Sequence, residues 1–303
     1  MKKTISVFAI LFAFVLQAQE TANRFFYELT FKPKKETENL DKVLTVLDVT
    51  KDKSVYKDFT VNAQDSIMKV EVEAMQRSGV YKDLSKMIKM PKFSEKIYKI
   101  YPDMKLQYVD RVANGFTPVN IGFEETLSLD WKILPDKEKI GEYNTQKATT
   151  EFGGRKWTAW FAQEIPLQDG PYKFHGLPGL IVKIEDDAKN YSWVLKGNKK
   201  VDNYSELSYI ETIAPGGSGG PVQIVTKEKF DKTLGDYKKD PFATARPHFT
   251  TEMLAQKLPG SDSTIGDMVK QQEKMLKDFY ESNNNPIELT AVPVTDTKKK
   301  KGK

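Results

Sequence analysis

The chain has 303 residues, two histidines, no cysteine and a formal net charge of +5. Without cysteine it can form no disulfide, thiolate metal site or thiol nucleophile. Setting Lys2 and Lys3 aside takes +5 to +3, and the tail lysines Lys298, Lys299, Lys300, Lys301 and Lys303 take it to −2, so the body is near neutral and nucleic-acid binding is excluded.

Lys2 and Lys3 precede an apolar stretch from Ile5 to Leu16, which ends at Leu16-Gln17-Ala18. A basic start, a short apolar run and a small residue form an export signal. A spanning helix needs about 20 apolar residues, so a membrane anchor is the weaker reading. Residues 1–18 are therefore expected to be cleaved, with Gln19 as the new start. No cysteine follows the run to carry an acyl chain, and no second run approaches spanning length. The expected location is the periplasm or the extracellular space, with no transmembrane span in the mature chain.

Residues 19–290 are expected to form one β-rich domain, and residues 291–303 a disordered lysine-rich tail. Phe25, Tyr27, Leu29 and Phe31 alternate, as one face of a strand requires, and Pro33 ends the run. Val43 to Val49 and Ser54 to Phe59 follow, then 95–101, 104–112, 126–133, 139–150, 155–163, 179–185 and 190–196. Many strands joined by short polar turns predict an antiparallel sheet, sandwich or barrel. In residues 65–77 Met68, Val70, Val72 and Ala74 alternate as in a strand, while Met68, Val72 and Met75 fit a helix face, and a helix is expected there. Thr226 and Asp262 are expected to cap two later helices, one carrying Phe230, Leu234 and Tyr237, the other running from Ile265 to Phe279. Both are expected to pack on the sheet, and the second to stop at Asn283-Asn284-Asn285-Pro286. The fold class is thus mainly β with a few helices packed on the sheet.

The densest information lies between Gly141 and Ile184. Gly153-Gly154 suits a hairpin turn, and the strand after it carries Trp157, Ala159 and Phe161 on one face and Trp160 on the other. Gly170-Pro171 and Gly176-Leu177-Pro178-Gly179 then bracket a loop that re-enters a strand at Leu180. With Leu180 and Ile181 this segment, with its flanks Trp157-Thr158-Ala159-Trp160 and Gly170-Pro171-Tyr172-Lys173-Phe174, resembles the GLPGLI family of exported proteins of Gram-negative bacteria. Asn283-Asn284-Asn285-Pro286-Ile287 matches as well. The resemblance implies no established activity. Through a bowl-shaped accessory domain beside the catalytic part of some peptide N-glycosidases, it implies a curved antiparallel sheet, bowl-like or a partly open barrel. Some members carry a cysteine in the stretch matching Gly141 to Ala148; this chain does not.

Candidate chemistry is sparse. Gly217-Ser218-Gly219-Gly220-Pro221 is similar to the nucleophile loop of chymotrypsin-like proteases, but glycine stands at the acidic position and only His175 precedes it. A glycine-rich linker before a Val222 to Val225 strand explains it better. His175 and His248 lie too far apart in sequence for a zinc pattern. Glu124-Glu125 and Asp186-Asp187 point to opposite faces of a strand and read as solvated charges. Trp157, Trp160, Tyr172, Phe174, His175 and Leu177 are the candidate ligand or partner contacts, with core packing as the competing account. The function expected is a non-enzymatic binding or accessory protein of the periplasm or outer-membrane region, needing no cofactor and holding an apolar small molecule or an envelope protein. The alternative is an exported hydrolase acting on glycans or peptides, with carboxylates far apart in sequence. A third reading is an assembly component that uses the basic tail.

Overall fold

The computed structural model describes residues 20–289 except 81, 83, 85, 86, 88, 214–216 and 259–261. The expected signal peptide and lysine tail lie outside the described residues. The strands are β1 (Ala22–Phe31), β2 (Asp41–Val49), β3 (Lys53–Asp58), β4 (Lys96–Ile100), β5 (Lys105–Asn114), β6 (Thr117–Glu125), β7 (Lys132–Ile140), β8 (Tyr143–Phe152), β9 (Arg155–Ala162), β10 (Leu180–Asp186), β11 (Tyr191–Val201) and β12 (Gln223–Ile224). The helices are α1 (Thr60–Ser78), α2 (Tyr209–Ile213), α3 (Lys227–Lys239), α4 (Thr251–Ala255) and α5 (Ile265–Ser282).

All twelve strands form one sheet in the order β12-β6-β5-β4-β3-β2-β1-β11-β10-β9-β8-β7. Neighbours are antiparallel apart from the short parallel contact of β12 with β6. The sheet is open, with β12 and β7 as its edges, so the expected β-rich class holds without closure into a barrel. Hairpins join most neighbours, and β1 pairs with β11 along its whole length, from Ala22 opposite Val201 to Phe31 opposite Tyr191. That long-range pair joins the two halves of the sheet.

Alternation decides which face is buried. Tyr27, Leu29 and Phe31 point to one side with Leu47, Tyr56, Ile97, Leu106, Trp157 and Trp193, and this side holds the main core. The other side carries Arg24, which forms a bidentate pair with buried Asp48 at 2.5 and 2.8 Å. Helix α1 packs against α2 and β2.

Several expectations needed correction. Residues 117–125 form β6, which was not expected, whereas 126–131 are not strand, so the strand expected over 126–133 begins only at Lys132. The strand expected over 139–150 is split by a turn at Gly141, where φ is +59°. Leu127, Leu129, Trp131 and Ile133 alternate through the first break, so periodicity alone did not mark it. Thr226 caps α3 as expected, but α5 is capped by Thr264 rather than Asp262. The Thr264 hydroxyl accepts from Asp267 N, and the Asp267 carboxylate accepts from Thr264 N. Helix α3 packs on β5 and β6, while α5 lies mainly on α3 and α4 rather than on the sheet. Among the described residues no helix is long and apolar enough to cross a membrane.

Candidate binding cleft

The loop between β9 and β10 does not run over the surface. It folds back across the buried face of the sheet, and Phe174 and Leu177 sit fully buried in the core. The ring of Phe174 meets Trp157 at 4.8 Å between centroids and Trp193 at 6.1 Å. A buried loop must find partners for its backbone groups, and Lys99 of β4 supplies them. Its ammonium lies 2.5 Å from Asp169 Oδ1 and donates to the carbonyls of Gly170 at 2.6 Å and Tyr172 at 3.0 Å. Asp169 also accepts from the Ser54 hydroxyl and the Tyr101 phenol. At the far end, a Cβ on Gly179 would lie 2.3 Å from Ala162 O, and its φ of +152° is open only to glycine, so the return into β10 requires that residue.

This anchoring separates the six candidate contacts. Trp157, Phe174 and Leu177 are enclosed in the core. Trp160 is half-buried on the opposite face, with the Lys147 ammonium 5.8 Å from its ring. His175 is buried, its Nδ1 2.9 Å from Lys173 O and its carbonyl accepting from Trp131 Nε1; burial holds its imidazole below the usual range. Tyr172 alone reaches the cleft described next.

A cleft of about 670 Å³ opens between the sheet, α3, α5 and residues 283–289. Its floor is Tyr108 of β5 stacked on Phe123 of β6 at 5.4 Å, with Phe230 of α3 edge-on to both. Phe31, Phe93 and Tyr191 line a second wall, and Phe279 and Tyr280 a third. The ammonium of Lys173 is buried among these rings, 5.1 Å from the centre of Tyr108 and 5.4 Å from that of Phe123. Glu125 Oε1 and Glu288 Oε1 each lie 2.6 Å from it. The Tyr172 phenol donates to the same Glu288 oxygen at 2.6 Å. A lysine this deep is tolerated only because carboxylates and ring faces replace its water.

Arg155 holds the C-terminal wall in place. Its guanidinium pairs with Asp186 at 2.9 Å and donates to Asn285 Oδ1, Pro286 O and Ile287 O at 3.0, 2.8 and 2.8 Å. Gly153 and Gly154, at φ +59° and +75°, form the turn beneath, and Leu289 N donates to Gly153 O. A Cβ on Gly153 would come within 2.9 Å of the Glu288 side chain.

Two further carboxyls face the cleft or lie beside it. Glu95 precedes β4 by one residue, and the register Lys96 opposite Val109 continues to place Glu95 beside Asp110 on the same face. Burial first, and then the Asp110 charge, push the Glu95 carboxyl up to about 7. Burial raises Asp110 as well, against the opposing charge of Lys238 and a hydrogen bond from Ser94.

Glu95, Lys173 and Glu288 were not among the sequence candidates. Lys173 sits within the quoted Tyr-Lys-Phe segment and Glu288 directly follows Asn-Asn-Asn-Pro-Ile, so both lay in view of the motif. Glu125 and Asp186 were read as solvated; both are instead paired with a buried cation, Glu125 with Lys173 and Asp186 with Arg155, while Glu124 pairs at the surface with Lys105. Ser218 and Gly220 offer their carbonyls to Asn120 of β6, and His248 lies tilted beside Phe116 at 6.3 Å, so none of the three joins the cleft.

Residues 153–183 match a family model described as a protein of unknown function, Porph_ging. No curated protein matches the chain. Two solved structures of PNGF-II, in P21 and C2 crystal forms, align with 72% of this chain at 12% and 13% identity, with TM-scores of 0.46 and 0.47. The aligned part covers 34% and 33% of those chains, so this chain spans about a third of their length.

Proposed function

We propose that this is an exported GLPGLI-type binding protein of the periplasm or cell exterior, and that the cleft between the sheet and α3/α5 holds a small amphipathic ligand. The carrying observation is the convergence of a buried lysine, Lys173, and two half-buried carboxyls, Glu95 and Glu288, in an aromatic cleft of about 670 Å³. Ligand sites have that size, and apolar walls with few fixed polar groups characterise them. The Lys99 and Arg155 anchors support the reading, because a wall held before the ligand arrives costs less ordering on binding. Native mass spectrometry of protein purified from its own host tests it. A small molecule should co-purify with the wild type and be lost from Leu234→Trp, which fills the α3 side of the cleft. Recovery of neither a small molecule nor a bound protein would overturn the reading.

One observation favours a hydrolase as the second reading. Glu95, whose carboxyl burial pushes up to about 7, lines the same cleft as a second carboxyl, Glu288, and acid–base hydrolysis uses a pair of carboxyls. Turnover of a glycan or peptide panel, abolished in both Glu95→Gln and Glu288→Gln, would favour it over simple binding.

A further inference from the structure

The cleft holds positive and negative groups, but they are not equally paired. Lys173 faces Glu125 and Glu288, Lys227 of α3 faces Asp231, and Lys92 faces Asp41. Among the described residues Glu95 has no cation within ion-pair distance; the hydrogen bond its carboxyl accepts comes from its own backbone N–H. It stands beside a second carboxyl, Asp110, across the β4–β5 register, and like charges placed opposite each other on a sheet repel. The charges facing Glu95 from the other elements are Asp58 of β3, which adds to the repulsion, and Lys238 of α3, which relieves part of it. Lys238 is exposed, and its ammonium lies 5.8 Å from the Tyr280 ring.

Glu95 shares its cleft with several aromatic rings. Phe93, Tyr108, Tyr172 and Tyr191 line the same cavity. Burial foremost, with the charge of Glu95 among the further causes, holds the phenols of Tyr108, Tyr172 and Tyr191 above their usual range. A desolvated carboxylate without a partner is costly, and a cation set between it and aromatic faces gains from both. Among the described residues no group of three His, Asp or Glu side chains is placed to hold a metal ion, so an organic cation suits this constellation better than a bare divalent one.

We infer that the Glu95 end of the cleft receives a positively charged organic group of the ligand, an ammonium or guanidinium, while the ligand's apolar body lies against Tyr108, Phe123 and Tyr191. This deepens the binding proposal and rests on it. Because the incoming cation stabilises the ionised form of Glu95, its affinity rises with pH through neutrality and levels off above.

Calorimetric titration of the full chain with benzyltrimethylammonium, benzyl alcohol and phenylacetate separates charge from shape. A blocked dipeptide, N-acetyl-Phe-Arg-amide, alongside them tells a peptide-borne guanidinium from a free cation. At pH 8 the cations should bind about tenfold or more tighter than benzyl alcohol, and the advantage should shrink by pH 5.5. Glu95→Gln should abolish the advantage, and a thermal unfolding transition as cooperative as the wild type's shows that the variant is folded. Tighter phenylacetate binding, a preference independent of pH, or a preference that survives in Glu95→Gln overturns the inference and leaves the cleft a binding site. Failure of all four probes to bind overturns both.

Discussion

Replacing Glu95 with glutamine should stabilise the protein, and only above about pH 5. The carboxyl is raised from the ordinary 4.5 to about 7, by burial and then by Asp110. The folded state therefore holds this proton more tightly than the unfolded chain. Below pH 4.5 both states are protonated and the group costs nothing. Between 4.5 and 7 the unfolded chain ionises first, stability falls as pH rises, and above 7 the loss is complete. At about 1.4 kcal/mol per pH unit, the full shift corresponds to about 3 kcal/mol. Glu95 lines a cleft that solvent reaches, so roughly half of that is the better expectation. Glutamine keeps the shape without the titration, so the gap between variant and wild type should be near zero at pH 4 and reach about 1.5–3 kcal/mol at pH 8. For a domain of this size that is roughly 3–12 °C in thermal midpoint. Paired thermal melts at pH 4, 6 and 8 read it directly. A constant gap, or a glutamine variant less stable at pH 8, would refute the claim that Glu95 is desolvated and unpaired.

The other predictions concern the anchors. Lys99→Met removes the fully buried partner of Asp169 and strands the Gly170 and Tyr172 carbonyls. The cost should be about 3–5 kcal/mol in urea unfolding, whereas removing the exposed Lys232 opposite Asp236 should leave the midpoint unmoved. Gly179→Ala should cost about 1–3 kcal/mol in backbone strain and more from the contact with Ala162 O. At Gly141, where a Cβ meets nothing, alanine should cost only about 1 kcal/mol by the same measurement. Arg155→Lys keeps the charge but cannot span Asp186, Asn285, Pro286 and Ile287 at once. Faster amide exchange and protease cleavage confined to residues 283–289 should result; unchanged protection would mean that the segment is held by its apolar contacts instead.

What could be read from the sequence followed from local rules. Phe25, Tyr27, Leu29 and Phe31 mark their strand because a half-buried strand needs alternation, and Thr226 marks its helix because an N-cap is a local hydrogen bond. The strand β6 was missed because Thr117 to Glu125 carries Pro118 and Gly122, residues that usually end strands; Gly122 is required because a Cβ there would lie 2.8 Å from Tyr108 O. The aromatic loop was recognised as special, but its direction was not legible. Whether Phe174 lines a pocket or fills a core depends on Lys99, 75 positions earlier, which draws the loop inward. The cleft was least legible. Glu95 lies just outside a strand, Glu288 near the end of the described chain and Lys173 in the loop, and only the sheet order brings them together.

The segment from Gly153 to Lys183 gathers these dependencies in one stretch. It contributes the glycine turn that seats Glu288 and Leu289, the arginine that clamps the 285–287 backbone, the rings that fill the core, and the lysine that enters the cleft. Phe174 and Lys173 are adjacent yet face different surroundings, the ring in the core and the ammonium at the cleft floor. Tyr172, at φ +53°, marks where the chain turns to allow this. An unusual backbone conformation held by a fully buried ion pair is an expensive way to fill a core that leucine or phenylalanine would fill without strain. What the arrangement achieves beyond packing is a cation fixed between two carboxylates and ring faces at the base of an open cleft. The buried charge, Lys173, is paired at the base of the cleft, while Lys238 lines it as an exposed charge. On the binding proposal, the floor is set before a ligand arrives, and Glu95 is the group whose charge the ligand would complete.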